Sequence, residues 1–349
     1  MINSNLLSVI EARRIIDGPD DKLRAVSYIK YPWAATMFDA MCANNWDFKE
    51  VSLSRDRTEF AELSKGQKTA FMRALAFLSN LDSIQVDNLS ENVGQIITDP
   101  SIRECIYRQE FEEVIHVKAY SAMIESIFPE DPLSIYNLYN VVPQLGAKND
   151  YIINKSKEVT LEPTSVNKVK AVVSNIALEG IFFFNGFAEI YAIGRNTGKM
   201  QGSVDQIKYI QRDEIMHTKL FSNIFNTLRM ERPDLFTPEL LDEYRGILFK
   251  AARLEAEWGV FCIEDGLPGF NGDIARAFPE HRADECAKAI GLGQVFGTEN
   301  PIDWFYSYSS INDKQKNFFE TKPQTYQETR LAFRSRRASA GATVPVHGR

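Results

Sequence analysis

Apolar residues recur at the three-to-four-residue spacing of amphipathic helices from about residue 60 to residue 265. The longest periodic segments predict helices over 64–92, 101–128, 166–195, 204–230 and 237–264. Each is long compared with a mean helix of about 11 to 12 residues. Long helices around one interior are typical of a ferritin-like helical bundle, so we predict an all-α fold of this class.

Capping signals mark the start of three of these helices. Ser64 followed by Gln67, and Ser101 followed by Glu104, have the spacing of a capping box. The run Thr237-Pro238-Glu239 offers an N-cap, a proline at the first helical position and an early acid. From Gly266 onward glycine, proline and polar residues are more frequent, so we expect order to decline towards the C-terminus.

Composition narrows the class of protein. The 349 residues are 44% hydrophobic and 25% charged, enough to bury a large core, and a formal net charge of -7 disfavours a nucleic-acid partner. No uninterrupted apolar stretch approaches the roughly 18 residues that cross a bilayer, and the first residues lack the features of a signal peptide. The four cysteines are widely spaced, which indicates reduced thiols. We therefore expect a cytoplasmic protein without a membrane partner.

Two of the four histidines lie in the same local pattern, Glu113-Val-Ile-His116 and Glu214-Ile-Met-His217. Positions i and i+3 share one face of a helix, so each pair points a carboxylate and an imidazole at the same place. A bare Glu-x-x-His pattern is weak evidence for a metal site. Acids make up 47 of the 349 residues, so an acid often lies three positions before a histidine by chance. A satisfied core histidine is the ordinary interpretation of either one alone.

A di-metal carboxylate site in a bundle needs one further acid from each of two other helices. Asp82 and Glu179 both lie inside apolar helical stretches, where an isolated acid needs a partner. A solvated edge or a buried base would also explain either acid. Oxygen and imidazole ligands together favour iron or manganese over a structural zinc site, and two such metals could act jointly on dioxygen.

Three segments resemble the signature helices of the small subunit of class I ribonucleotide reductase: RQEFEEVIHVKAY, NIALEGIFFFNGF and YIQRDEIMHTKL. The likeness extends to ANNWDFKEVSLSRDR, LSNLDSIQ, NPIDW and NFFETKPQTYQ, and so covers about residues 30–333. It implies a radical-generating homodimer that serves a separate large subunit, with two metal ions per chain and O2 for activation. It also implies two ligand sets, bridged by Glu113 and Glu214: Asp82, Glu113 and His116 for one ion, and Glu179, Glu214 and His217 for the other.

The resemblance assigns roles to several further residues, most of them aromatic. Tyr120, one helical turn after His116, matches the stable radical tyrosine, and Phe183, Phe187 and Ile210 match the apolar pocket that shields it. Trp46 and Asp213 match positions that, with His116, move an electron between the metals and the partner subunit. Tyr326 matches the tyrosine of the C-terminal tail that relays the radical between subunits. The alternative interpretation of Tyr120 is an ordinary core tyrosine. The alternative interpretation of Tyr326 is an ordinary exposed tyrosine.

Two features depart from the usual pattern of the family. EGIFFF, ANNW and NFFET are similar to a subgroup in which phenylalanine replaces the radical tyrosine and a manganese–iron pair stores the oxidising equivalent, and Tyr209 matches its electron-delivering tyrosine. Tyr120 and Asp82 are of the usual type, so we expect an iron pair, with Mn/Fe or Mn/Mn as alternatives. The basic end, RSRRASAGATVPVHGR, is unlike the acidic or apolar docking peptide of the family.

These observations divide the chain into three predicted parts. Residues 1–25 form a flexible N-terminal segment, residues 26–310 a ferritin-like di-metal domain, and residues 311–349 a flexible C-terminal tail for large-subunit docking. Two other functions fit the same residues. A ferritin-like oxidase or monooxygenase acting on its own substrate needs an open pocket over the metals, and an iron-storage or purely structural protein needs no electron route.

Overall fold

The computed structural model describes residues 4–19, 23–24 and 28–309, and within these ranges the chain is helical and has no β-strand. The predicted all-α class is confirmed. The α-helices are α1 Ser4–Ala12, α2 Pro32–Ala43, α3 Asp56–Ala61, α4 Lys65–Asn88, α5 Gly94–Ile96, α6 Pro100–Ile127, α7 Pro132–Tyr136, α8 Leu138–Val141, α9 Pro143–Leu161, α10 Ser165–Ala177, α11 Phe184–Thr197, α12 Gln201–Glu231, α13 Pro238–Cys262, α14 Gly272–Ala289 and α15 Trp304–Ser309. Short 3-10 turns lie at Phe48–Glu50 and Pro233–Leu235, and π-helical turns at Leu89–Val93 and Leu178–Phe182.

Helices α4, α6, α10–α11 and α12 form a ring around one interior. Helix α4 packs against α6 and α11, and α12 packs against α6, α10 and α11. Helices α13 and α14 pack against each other and against the π-turn between α10 and α11. By length and composition Ser165–Thr197 could span a membrane, but its apolar window is entirely buried inside the protein. This segment is therefore the central core element of the bundle.

Two of the three predicted helix starts are confirmed. The Ser64 side chain accepts a hydrogen bond from the Gln67 backbone amide, and the Gln67 side-chain oxygen accepts one from the Ser64 backbone amide. Thr237 caps α13, with Pro238 at its first position. The capping box at Ser101 is wrong. Helix α6 begins one residue earlier, because Asp99 accepts from the amides of Ser101 and Ile102 and Pro100 takes the first helical position.

The predicted helix over 166–195 is divided by a π-turn at Leu178–Phe182. Gly180 lies in this turn, where a Cβ atom would be 2.3 Å from the Cys286 sulfur, so only glycine permits the close approach of α14. The Arg282 side chain of α14 donates from Nε to the Gly180 carbonyl oxygen at 3.0 Å. The turn displaces Glu179 relative to a regular helix, as π-turns often do at functional sites.

The region after Gly266 is more ordered than its composition suggested. Helix α14 runs through Pro279, and the buried Asp284 side chain fixes the loop that follows it. Its two oxygens accept four backbone hydrogen bonds of 2.6 to 2.9 Å from Val295, Phe296, Gly297 and Thr298. Polar and glycine-rich sequence here builds a carboxylate-centred loop, which periodicity alone does not reveal.

A second buried ionic cluster lies away from the candidate metal ligands. Lys148 forms an ion pair with Glu255, and its ammonium lies 3.3 Å from the Phe77 ring centroid. Glu189 is also fully buried, and burial, together with repulsion from Glu255, raises its pKa well above the ordinary value. One ammonium balances one carboxylate, so Glu189 is held as the neutral acid.

The Asp284 loop anchor yields a stability prediction. Asp284→Asn should lower the free energy of unfolding by about 3 kcal/mol, because an amide nitrogen then faces backbone donors. The amide hydrogen bonds lower the Asp284 pKa, although burial alone would raise it. The wild-type advantage should therefore be constant above about pH 5 and shrink as the pH falls through the lowered pKa.

Urea unfolding of metal-free protein at several pH values measures this effect. Asp273→Asn is the matched control, because Asp273 lies in the same helix and its side chain is 95% exposed. The control should leave the stability unchanged. Equal stability of Asp284→Asn and wild type at pH 7 would contradict the anchoring role.

The two buried glutamates of the second cluster should respond differently to the same substitution. Glu255→Gln leaves the Lys148 ammonium buried without its counter-charge, so we expect a loss of about 3 kcal/mol. Glu189→Gln replaces one neutral group with another of the same shape and should change stability by less than about 1 kcal/mol. Thermal and urea unfolding of the two variants compares them directly. A larger loss for Glu189→Gln would show that Glu189 is the ionised partner.

Candidate metal centre

The six predicted metal-ligating side chains converge in the interior of the helix ring. Helix α4 supplies Asp82, α6 supplies Glu113 and His116, the π-turn supplies Glu179, and α12 supplies Glu214 and His217. All six are fully buried. They form two overlapping groups, within each of which one ligand atom per residue lies within 4.8 Å of the others: Asp82, Glu113, His116 and Glu214; and Glu113, Glu179, Glu214 and His217.

Both imidazoles face the carboxylates with the same nitrogen. His116 Nδ1 lies 3.2 Å from Glu113 Oε2 and 3.1 Å from Glu214 Oε1. His217 Nδ1 lies 3.2 Å from Glu113 Oε1 and 2.8 Å from Glu214 Oε2. Each of these two glutamates therefore presents one oxygen to each imidazole. This is the arrangement that a pair of bridging carboxylates requires.

The donor set fits two divalent cations. Both Asp82 oxygens and Glu179 Oε2 are buried and have no hydrogen-bond partner among the described residues. Unpaired buried carboxylate oxygens are unfavourable unless a cation or a proton neutralises them. The four carboxylates of the two groups carry four negative charges when ionised, which two divalent ions would balance. Oxygen and imidazole donors also suit iron and manganese.

Without metal, protons neutralise the cluster. Burial, together with repulsion from Glu113 and Glu214, raises the pKa of Asp82 well above its ordinary value. Burial acts first to lower the His217 pKa, but the neighbouring glutamates outweigh it and raise that pKa well above 6.5. Metal ions would therefore compete with protons for these side chains.

Tyr120 lies on α6 one turn beyond His116 and is fully buried. Its hydroxyl has no hydrogen-bond partner within the part of the chain that the structure describes. Burial, and then the negative charge of Asp82, raise its pKa well above 10, so the phenol keeps its proton. The three predicted pocket residues are also fully buried: Phe183, Phe187 and Ile210.

The described residues of the predicted electron route lie in contact with one another. Trp46 Nε1 donates to Asp213 Oδ2 at 2.7 Å, and the same oxygen lies 3.3 Å from His116 Nε2. The Tyr209 ring stacks on Trp46 with centroids 5.1 Å apart. Tyr326 lies outside the described residues, as does the rest of the predicted C-terminal tail. The three inner residues are therefore placed together, and their roles remain predictions.

Sequence reasoning missed two glutamines that hold Glu179. Gln109 Nε2 donates to Glu179 Oε1 at 2.6 Å, and Gln85 Nε2 donates to the same oxygen. Both are fully buried. Their positions, three residues after Asp82 and four before Glu113, place them on the faces that carry the acids. That spacing was the available signal.

Comparisons with known proteins agree with this geometry. The chain matches the family model described as "Ribonucleotide reductase, small chain" over residues 25–301. It is 32% identical over 325 residues to the ribonucleoside-diphosphate reductase subunit beta of Treponema pallidum, covering 92% of each chain. The relation therefore spans nearly the whole length of both proteins.

Two solved structures share the fold. The ribonucleotide reductase R2 subunit from Clostridium botulinum superposes with a TM-score of 0.82 at 30% identity, covering 86% of this chain and 95% of that one. A putative class I ribonucleotide reductase from Bacillus halodurans gives a TM-score of 0.76 at 31% identity, covering 79% and 99%. The chain therefore belongs to the ribonucleotide reductase small-chain family, the small subunits of ribonucleoside-diphosphate reductase.

Proposed function

We propose that this small subunit holds two metal ions per chain and uses them with O2 to generate and store an oxidising equivalent for the large subunit. The ligand sets are Asp82, Glu113 and His116 for one ion, and Glu179, Glu214 and His217 for the other, with Glu113 and Glu214 shared. The observation that carries this proposal is the pair of overlapping buried groups, which have these two glutamates in common.

An iron pair is the proposed occupant, with a manganese–iron or manganese pair as the alternatives. Iron and manganese both accept oxygen and imidazole ligands, so the donor set supports all three pairs. When bound and reduced, the pair would supply the electrons that activate O2. The surrounding side chains exclude water, because every ligand is fully buried.

Tyr120 is the proposed site of the stored radical. Its phenol would lose one electron to the metal pair, once O2 has oxidised that pair, and the hydroxyl proton would pass to the carboxylate cluster whose charges act on the ring. The resulting neutral radical needs no counter-charge in the apolar interior. Its buried position supports storage, because exogenous reductants cannot reach the ring. The low-dielectric surroundings that raise its pKa disfavour the phenolate and favour a neutral species.

The route to the large subunit is proposed to run from His116 through Asp213 to Trp46, with Tyr326 completing it at the subunit boundary. The two short contacts at Asp213 support the inner part. Reduction of ribonucleotides to deoxyribonucleotides would take place on the large subunit. Nothing observed favours an oxidase acting on its own substrate. We place the complex in the cytoplasm.

A homodimer is proposed from an exposed apolar stripe on α6. Tyr107, Phe111 and Val114 are 51%, 48% and 36% exposed. Their spacing of four and then three residues places them on one face of the helix. Contiguous exposed apolar residues commonly mark an interface, and packing against the same face of a second copy would bury them with two-fold symmetry.

The radical assignment is tested by electron paramagnetic resonance after metal loading. Protein loaded anaerobically with iron, manganese or both is exposed to O2, and the metal content is measured in parallel. We expect a tyrosyl signal in wild type that is absent from Tyr120→Phe, because Tyr120 is the tyrosine that lies one helical turn from a ligand histidine on the same helix. Tyr191→Phe is the matched control, since Tyr191 is also fully buried. A signal that persists in Tyr120→Phe would refute the assignment.

The dimer is tested by substitution within the stripe. Phe111→Asp places a charge in the proposed apolar interface and should shift the mass in solution from twice 39.7 kDa to 39.7 kDa. Light scattering after size-exclusion chromatography measures the change. Leu161→Asp, at an 80% exposed position outside the stripe, is the control and should remain dimeric. A dimeric Phe111→Asp variant would exclude this face.

A further inference from the structure

The two ligand-bearing helices share a longer pattern than the Glu-x-x-His pairs. An additional acid comes directly before the ligand glutamate in both: Glu112-Glu113-Val-Ile-His116 in α6 and Asp213-Glu214-Ile-Met-His217 in α12. Both additional acids are buried, with 3% and 1% exposure. A buried acid needs a specific partner. Asp213 was predicted to have one, whereas Glu112 was not.

Each additional acid reaches across to the histidine of the other helix. Asp213 Oδ2, on α12, lies 3.3 Å from His116 Nε2, on α6. Glu112 Oε2, on α6, lies 2.9 Å from His217 Nε2, on α12. Helices α6 and α12 therefore each supply an acid to the histidine of the other helix. Each imidazole therefore has its Nδ1 towards the ligand carboxylates and its Nε2 towards an acid of the opposite helix.

An arginine supports each additional acid. Arg108 Nε donates to Glu112 Oε1 at 3.0 Å, one helical turn away. Arg212 Nε donates to Asp213 Oδ1 at 3.1 Å. A guanidinium opposite a carboxylate favours its ionised form and fixes its orientation. Each acid therefore has one oxygen for its arginine and the other for an imidazole.

Both arginines are anchored on the same loop between α2 and the Phe48–Glu50 turn. Arg108 Nη2 donates to Asn45 Oδ1 at 3.2 Å, and Arg212 Nη2 donates to the Asn44 carbonyl oxygen. The next residue in this loop is Trp46, which donates to Asp213. The loop therefore ties together the groups behind both imidazoles.

We propose that Glu112, held by Arg108, is the positioning residue for His217, as Asp213 is for His116. Glu112 accepts the Nε2 proton of His217, which leaves Nδ1 with its lone pair directed at the metal position next to Glu179. The inference rests on the proposed di-metal centre. The two sides differ in one respect: Asp213 also accepts from Trp46, whereas within the described ranges Glu112 pairs with His217 and Arg108 and with no tryptophan. Glu112 therefore affects metal binding through His217 without taking part in the contact between Trp46 and Asp213.

Mn²⁺ binding to the metal-free full-length chain tests this assignment. Glu112→Ala should weaken the binding of one of two Mn²⁺ ions by about 10- to 100-fold, the usual effect of removing an acid that orients a ligand histidine. At a Mn²⁺ concentration that fills both wild-type positions, the electron paramagnetic resonance spectrum should change from that of a coupled pair to the six-line signal of an isolated ion. Glu112→Gln, which keeps an acceptor oxygen but not the charge, should give an intermediate loss.

Glu125→Ala is the matched control, because Glu125 is an exposed glutamate of the same helix. It should bind two ions as wild type does. The metal-free variants are compared by circular dichroism and thermal unfolding. If Glu112→Ala does not fold, Arg108→Gln takes its place, and it should weaken the same ion by at least about threefold because Glu112 loses its support.

Two outcomes separate this inference from the proposed function. If wild type binds two Mn²⁺ ions and folded Glu112→Ala, or its replacement Arg108→Gln, binds both with unchanged affinity and a coupled spectrum, the positioning role is wrong. If wild type binds no Mn²⁺ or Fe²⁺, the di-metal centre itself is wrong, and this inference is lost with it.

Discussion

The rest of the structure depends on keeping four carboxylates and two imidazoles inside an apolar helix bundle. Such a cluster is unfavourable unless each charge is balanced by a cation, a proton or a donor. The helices bring these charged groups together so that they can share the same counter-charges. Glutamate and histidine three residues apart lie on one face of α6 and of α12, while α4 and the π-turn each add one acid. Two divalent ions would complete the balance of charge.

The polar side chains around the ligands form a second layer that contacts and orients them. Gln85 and Gln109 bind one oxygen of Glu179 and leave the other facing His217. Asp213 and Glu112 orient the two imidazoles from opposite helices. Each of these four side chains fixes a ligand atom that would otherwise rotate, because carboxylates and imidazoles have several accessible orientations. A site preorganised in this way loses little conformational entropy when metals bind.

The position of Tyr120 links this balance to the proposed radical chemistry. A phenol without a hydrogen-bond partner among the described residues is uncommon in a protein interior, because a buried hydroxyl normally finds an acceptor. Here the nearby acid is Asp82, whose two oxygens likewise have no hydrogen-bond partner in the described part of the chain. The buried cluster that suits two metal ions therefore has a buried phenol beside it that has no hydrogen-bond partner among the described residues.

The sequence by itself determined the helical class and four candidate ligands, because these depend on spacing along single helices. Asp82 and Glu179 were found as acids inside apolar helical stretches and from the likeness to a known family. The likeness of three helical segments to a known family also pointed to Tyr120, Trp46 and Asp213. Only the tertiary structure showed that Glu112 faces His217, since an acid beside another acid on a helix usually lies on a solvated face. It also decided the π-turn at Glu179, the cap at Asp99 and the Asp284 loop. These features depend on contacts between residues distant in the chain or on local hydrogen bonds that hydrophobic periodicity does not record.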